Sequence, residues 1–249
     1  MPYIDLATGA RFHYEDEGSG TPIIGLHGRF GTGRADLGGI IDWLTPQGYR
    51  VLAPSLRGYG ESTPKPRDYP FDFYHRDARD VLAFMDALKI ERAHLLGYSD
   101  GGEVALIAAG FAPERCISVA VWGAVGYYGP AMRPVAQANY PATWMDEATK
   151  KLHGIDDPNP LVLEWIAAVK HLIDSGGDVS LSLAPNISAP VLLMLGEQDR
   201  LNPQEYGQNF IDRTPHGKLV MFKTGHGIHQ QDWEGFKRVV GDFLRSASS

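Results

Sequence analysis

The sequence predicts an α/β fold, a mostly parallel eight-stranded sheet flanked by helices and carrying a helical insertion, on three observations. Short apolar runs alternate with segments of helical periodicity along most of the chain. At 249 residues the chain is long enough for one large core. One internal stretch, residues 127–189, breaks the alternation and holds no convincing strand.

Residues 3–6 and 11–16 are short extended runs separated by Thr8-Gly9, an antiparallel hairpin that opens the fold. The turn at Gly18-Ser19-Gly20 leads into residues 22–26, and further brief apolar runs follow at 49–53, 93–96, 116–122, 191–195 and 219–222. Runs of this length that are apolar throughout are strands covered on both faces, which implies parallel pairing under helices. Helical periods fill the gaps at 36–44, 73–88, 102–111 and 233–244. In the second, Ala78, Val81, Leu82, Met85 and Leu88 recur at three- and four-residue spacing with Arg79, Asp80 and Asp86 between them. Residues 1–126 and 190–249 therefore form the expected core. Residues 127–189, with Met132, Tyr140, Trp144, Met145, Trp165 and a helical run over 161–173, form a cap whose apolar side chains line a pocket over the sheet's carboxyl edge.

Composition narrows the function. With 43% hydrophobic residues and scattered Gly and Pro, the chain is neither disordered nor collagen-like. Thirty acidic against 23 basic side chains give a formal charge of -7, and without a Lys/Arg run nothing neutralises a phosphate backbone, so no nucleic-acid partner is expected. Cys116 is the only cysteine and closes no intramolecular disulfide, and no Cys/His spacing builds a zinc site. The start Met1-Pro2-Tyr3-Ile4-Asp5 lacks the basic and apolar parts of a signal peptide, and no apolar run approaches the ~20 residues of a membrane helix. The expectation is a cytoplasmic monomer with no membrane partner and no cofactor.

The sharpest chemical signal is Gly97-Tyr98-Ser99-Asp100-Gly101-Gly102, set between a strand and a helix. A G-x-S-x-G turn in that context holds its serine in a strained, exposed conformation, and the flanking glycines let neighbouring backbone pack closely. The helix N-terminus then favours negative charge developing beside Ser99. A serine hydroxyl needs a base to accept its proton, and the base needs an acid to fix its tautomer. Asp199 follows the strand at 191–195 and His226 follows the strand at 219–222, in the chain order Ser, Asp, His that this arrangement uses. Glu197 is the alternative acid and His229 the alternative base. Asp199 lies further out along its loop, leaving Glu197 to anchor that loop, and glycines on both sides free His226 to reach the sheet edge. A metal reading of His216, His226 and His229 lacks an acidic partner on a common helix.

An acyl-transfer intermediate also needs oxyanion donors, one from the residue after the nucleophile and one from the loop after the third strand. These are the backbone N–H groups of Asp100 and Arg29, with Phe30 as the fallback for the second. His27, which opens that loop, is read as a structural histidine. Phe30, Trp122, Tyr140, Trp144 and Trp165 are the expected pocket residues.

His27-Gly28, Arg57-Gly58-Tyr59-Gly60-Glu61-Ser62, the Gly97-to-Gly102 turn, Gly196-x-x-Asp199 and Gly225-His226 occur in an order that resembles the capped α/β-hydrolases over nearly the whole chain. Leu95-Leu96-Gly97-Tyr98-Ser99-Asp100-Gly101-Gly102 and Trp122-Gly123-Ala124 look most like the valacyclovir-hydrolase-like (biphenyl-hydrolase-like) carboxylesterase branch. Two departures stand out. Ser55 replaces the Asp that many relatives carry before Leu-Arg-Gly, and Arg29-Phe30-Gly31 is an unusual oxyanion-loop sequence whose Arg29 side chain is expected to turn to solvent.

Ser99 excludes the dehalogenases and epoxide hydrolases of this fold, which need a carboxylate nucleophile. The carbon–carbon hydrolases carry a longer glycine-rich run after their first His-Gly. The resemblance thus implies a serine carboxylesterase for small, short-chain esters. Since the branch includes hydrolases of α-amino-acid esters, the alternative is an α-amino-acid ester hydrolase or aminopeptidase-like hydrolase in which Asp100 holds the substrate amine; otherwise Asp100 serves loop structure, by bonding backbone or pairing with Arg29. A slow-turnover ligand receptor is the third reading.

Overall fold

Residues 2–247 are described by the structure, a computed structural model; Met1, Ser248 and Ser249, which begin and end the expected core, lie outside them. Eight strands form one sheet: β1 (Tyr3–Asp5), β2 (Arg11–Gly18), β3 (Thr21–Leu26), β4 (Tyr49–Pro54), β5 (Ala93–Tyr98), β6 (Cys116–Trp122), β7 (Val191–Gly196) and β8 (Gly217–Phe222). Their spatial order is β1-β2-β4-β3-β5-β6-β7-β8. β1 pairs with β2, and β2 with β4, in antiparallel register; every later pairing is parallel.

The inner parallel strands are largely buried on both faces, β8 at the sheet edge being only half-buried, and their side chains alternate between two cores. Leu95, Val119, Val121, Leu193 and Leu195 point to one, with helices α2 (Phe73–Ala87) and α3 (Asp100–Phe111). Leu96, Ala120, Trp122, Leu192 and Met194 point to the other, under α1 (Gly33–Leu44) and the C-terminal helix Trp233–Ala247. That alternation explains why these strands read as apolar throughout. The helix after the Ser99 turn begins at Asp100, two residues earlier than its apolar pattern predicts, because its first turn is spent on Asp100 and the two glycines. Among the described residues no helix is long and apolar enough to cross a membrane.

The segment between β6 and β7 carries α4 (Met132–Gln137), α5 (Glu147–His153), α6 (Pro158–Asp174) and a 3-10 turn over Leu181–Asn186. Its two ends cross at Gly126, whose carbonyl accepts from the amides of Val179, Ser180 and Leu181. Glu103, buried in the first turn of α3, accepts from the amides of Val125 and Gly126 at 3.0 and 3.1 Å and so ties this crossing to the nucleophile helix. Burial raises Glu103 to about 7 from its ordinary 4.5, although those backbone donors oppose the shift. The native chain therefore keeps a proton that the unfolded chain has lost in this window, and stability declines as pH rises from 4.5 to about 7. Glu103→Gln abolishes that titration. The melting temperature of the variant relative to wild type is expected to climb by several degrees across the same window, up to about 3 kcal/mol. A gap that stays constant with pH, measured by calorimetry, contradicts the assignment.

Three further helices complete the chain: α7 (Gln204–Ile211), α8 (Ile228–Gln231) and α9 (Trp233–Ala247).

Candidate active site

β5 ends at Tyr98, and Ser99 turns the chain into α3 with φ 53° and ψ -121°, a left-handed conformation rare for a residue with a side chain. Two glycines make that turn possible. A Cβ on Gly97 would stand 2.4 Å from the Gly101 carbonyl oxygen, and one on Gly101 would stand 2.4 Å from the carbonyl oxygen of Leu26 at the end of β3. The Ser99 amide donates to the Trp122 carbonyl at 2.9 Å, which fixes the turn to β6.

The structure brings Ser99, His226 and Asp199 together from the carboxyl ends of three strands. Ser99 Oγ lies 2.9 Å from His226 Nε2, and His226 Nδ1 lies 2.8 Å from Asp199 Oδ2. A carboxylate only accepts, so Nδ1 carries the proton and Nε2 presents its lone pair to the Ser99 hydroxyl. Burial pushes the Asp199 carboxyl up, but the hydrogen bond and electrostatic attraction from His226 and the donors of Asn202 and Leu201 outweigh it and hold Asp199 below its ordinary value. Asp199 therefore stays ionised beside the imidazole.

Sequence reasoning missed Asn202. Its Nδ2 donates to Asp199 Oδ2 at 2.9 Å and to the Gly123 carbonyl at 3.0 Å, pinning the acid's loop to the end of β6. The only available signal was an amide three residues after Asp199.

The alternatives occupy other positions. The Glu197 side chain is exposed, and only its backbone serves the loop, donating to the Phe222 carbonyl. His229 is buried, accepts from the Trp122 indole N–H at 2.9 Å through Nδ1, and packs against Tyr98 and Phe236; burial lowers it to about 4. His27 accepts from the Leu56 amide through Nε2, so its Nδ1 donates to the Gly28 carbonyl at 2.7 Å. Full burial holds it neutral, at about 3.

Around the loop after β3, the Gly28 amide donates to Asp36 at 2.9 Å and the Gly31 amide to the Gly28 carbonyl at 3.0 Å. Phe30 adopts φ 61° between them. Among the described residues, the amides of Arg29, Phe30 and Asp100 donate to no acceptor. His153, at the end of α5, joins its helix to this loop: it accepts from the Gly60 amide and donates to the Phe30 carbonyl, each at 2.9 Å.

Three expectations about side chains need correction. Arg29 does not turn to solvent. Its guanidinium carbon lies 3.6 Å over the Trp165 ring on α6 and its Nη2 donates to Asn139 Oδ1, just after α4, at 2.7 Å. Trp122 is not a pocket residue: its position on β6 sends it into the opposite core against Phe236 and His229. Tyr140 is exposed on the surface after α4 and, unlike the equally exposed Trp144, is not among the rings that meet Arg29 and Phe30. Phe30, Trp144 and Trp165 do gather around the Arg29 guanidinium. Asp100 accepts from Tyr74 Oη at 2.9 Å, and Tyr128 donates in turn to Tyr74. Burial raises Asp100, opposed chiefly by the charge of Arg29.

A nucleophile, a base, an acid and free amides on one sheet edge can carry acyl transfer. Comparison with known proteins gives the family. A family model described as alpha/beta hydrolase fold matches residues 21–144. Serine hydrolase BPHL of Homo sapiens is 33% identical over 247 residues, covering 95% of this chain and 84% of that protein. The 2-hydroxy-6-oxo-6-phenylhexa-2,4-dienoate hydrolase of Burkholderia cepacia is 28% identical, covering 94% and 91%. Among solved structures, a thermophilic esterase from Thermogutta terrifontis superposes with a TM-score of 0.74 at 21% identity over the full length of both chains. The fold, the strand–turn–helix around Ser99 and the identity to BPHL converge: the chain is a hydrolase that belongs to the alpha/beta hydrolase fold family, in the branch of serine hydrolase BPHL.

Proposed function

We propose that this chain is a serine carboxylesterase that hydrolyses small, short-chain esters through an acyl-enzyme. The observation that carries the reading is the continuous chain of hydrogen bonds from Ser99 Oγ through His226 to Asp199. Ser99 Oγ attacks the ester carbonyl as His226 Nε2 takes its proton. The carbonyl oxygen becomes an oxyanion held by the Arg29 and Asp100 amides, which lack protein acceptors. Collapse expels the alcohol, protonated by His226. Water, deprotonated by His226, then attacks the acyl-Ser99 carbonyl, and the acid leaves as Ser99 regains its proton. No step calls for a metal or an organic cofactor. The segment 127–189 acts as the cap.

Short acyl groups fit because Phe30, Trp144 and Trp165 close around Arg29 on the cap side. Rates over a series of p-nitrophenyl esters are expected to peak at short acyl chains and fall for long ones, and paraoxon is expected to leave one adduct per chain, on Ser99. A preference for long-chain triglycerides refutes the substrate class, and labelling elsewhere refutes the nucleophile.

Two other substrate classes belong in the same panel. The resemblance to relatives named as dienoate hydrolases brings in a vinylogous diketone, and faster cleavage of its carbon–carbon bond than of any ester would overturn the esterase reading. The Asp100 carboxylate beside Ser99, with Tyr74 on one oxygen, brings in an alanyl ester against its propionyl counterpart. A preference for the alanyl ester supports amino-acyl recognition by Asp100.

A further inference from the structure

Arg29 carries a guanidinium with five N–H donors and has no carboxylate partner among the described residues. Its surroundings hold it firmly all the same. Asn139 takes Nη2 at 2.7 Å, and the guanidinium carbon sits 3.6 Å over the Trp165 ring, with Phe30 and Trp144 at 5.4 and 5.9 Å. Nη1 is buried and meets no acceptor, and the Nε1–H of buried Trp165, the ring on which the guanidinium rests, meets none either. A buried donor without an acceptor is destabilising by about 1–3 kcal/mol. Two such donors on stacked groups mark a place built to receive oxygen atoms.

That place adjoins the reacting centre. Gly28, the preceding residue, packs so closely on Ser99 that a Cβ there would stand 3.3 Å from the serine Cβ. Asp100 feels the Arg29 charge without forming an ion pair with it, its carboxylate being engaged by Tyr74. That positive charge disfavours a substrate ammonium at the Asp100 carboxylate. A group with a negative charge and two acceptor oxygens has the chemistry that these two orphan donors lack.

We propose that Arg29, seated on Trp165, is a specificity-determining residue that binds a free carboxylate on the substrate, so that half-esters of small dicarboxylic acids are preferred over neutral esters of the same shape. The proposal rests on the ester-hydrolase reading and names its substrate class. Arg29 acts by two means: its backbone amide serves the oxyanion and its side chain holds the distal carboxylate. The acyl carbonyl and the carboxylate are thereby fixed by one residue.

The test compares kcat/KM for the monoethyl esters of glutaric and adipic acid with the ethyl esters of the matching monoamides, which keep shape and lose charge. In wild type the acid is expected to exceed the amide by about 30-fold for at least one length, the size of a charged hydrogen bond. Arg29→Met keeps an apolar stem on Trp165 and is expected to bring that ratio to about one, while Arg29→Lys keeps the charge and falls between. A latch role for Arg29 in holding the cap would alter both rates together and leave the ratio unmoved. Calorimetric titration with glutarate, which needs no turnover, completes the test: wild type is expected to bind it and Arg29→Met to bind it about 30-fold more weakly. If neutral esters are hydrolysed but the ratio is one in wild type, the carboxylate site is wrong and the esterase stands. If no ester is cleaved yet glutarate binds through Arg29, the esterase is wrong and the site stands. Equal glutarate binding by wild type and Arg29→Met overturns the site in either case.

Discussion

Ser99→Ala, His226→Ala and Asp199→Ala are each expected to lower kcat for ester hydrolysis by about 10³ to 10⁶, because residues that move one proton as a unit fail together. Without Ser99 there is no acyl acceptor. Without His226 the hydroxyl keeps its proton, and without Asp199 the imidazole loses the partner that keeps the proton on Nδ1. The Asp199 variant is expected to be the mildest, since the base remains and Asn202 still supplies a polar neighbour at 3.3 Å from His226 Nδ1. The double variant of Ser99 and His226 should lose no more than either single variant, a non-additivity that independent contributions would not give. Steady-state rates on purified variants with wild-type melting temperatures decide the matter. Near-normal kcat in a folded His226→Ala protein would remove the base assignment, and His229 could not inherit it in this geometry, its Nδ1 being taken by the Trp122 indole.

The parts of this site legible in the sequence are those encoded by neighbours along the chain. The turn around Ser99 announces itself because the strand, the glycines and the helix that strain it are contiguous. The inner strands could be read because burial on both faces leaves them uniformly apolar. What escaped depends on parity or distance. Trp122 ends a strand whose successive side chains face opposite cores, and membership of the pocket turns on which face it takes. The direction of Arg29 depends on Asn139, 110 residues away, and on the Trp165 ring. Asn202 acts through Gly123, 79 residues away. α7 lacks an apolar stripe long enough to read, since Gly207 sits where the helix packs on Leu195.

Gly101→Ala is expected to cripple the protein although it adds a single methyl group. The added Cβ would stand 2.4 Å from the Leu26 carbonyl oxygen and 2.5 Å from that of His27, distances that real Cβ atoms do not show, and both obstacles are backbone at the end of β3. A flexible side chain could swing aside; this carbonyl edge is fixed by the parallel pairing of β3 with β4 and β5. The first turn of α3 must therefore back away from β3, carrying Ser99 and the Asp100 amide from the loop that holds Arg29. Overpacking of this kind destabilises by about 3 kcal/mol, and a displacement of order 1 Å at the reacting atoms lowers the rate by about 10². Gly39→Ala supplies the control. It lies exposed in α1 with nothing within 4 Å of its added Cβ, and is expected to raise stability slightly, by about 0.5–1 kcal/mol, through helix propensity alone. Melting curves and kcat for the two variants separate the close approach from a general intolerance of alanine. Wild-type kcat and melting temperature in Gly101→Ala would mean that the nucleophile turn does not depend on the contact between α3 and β3.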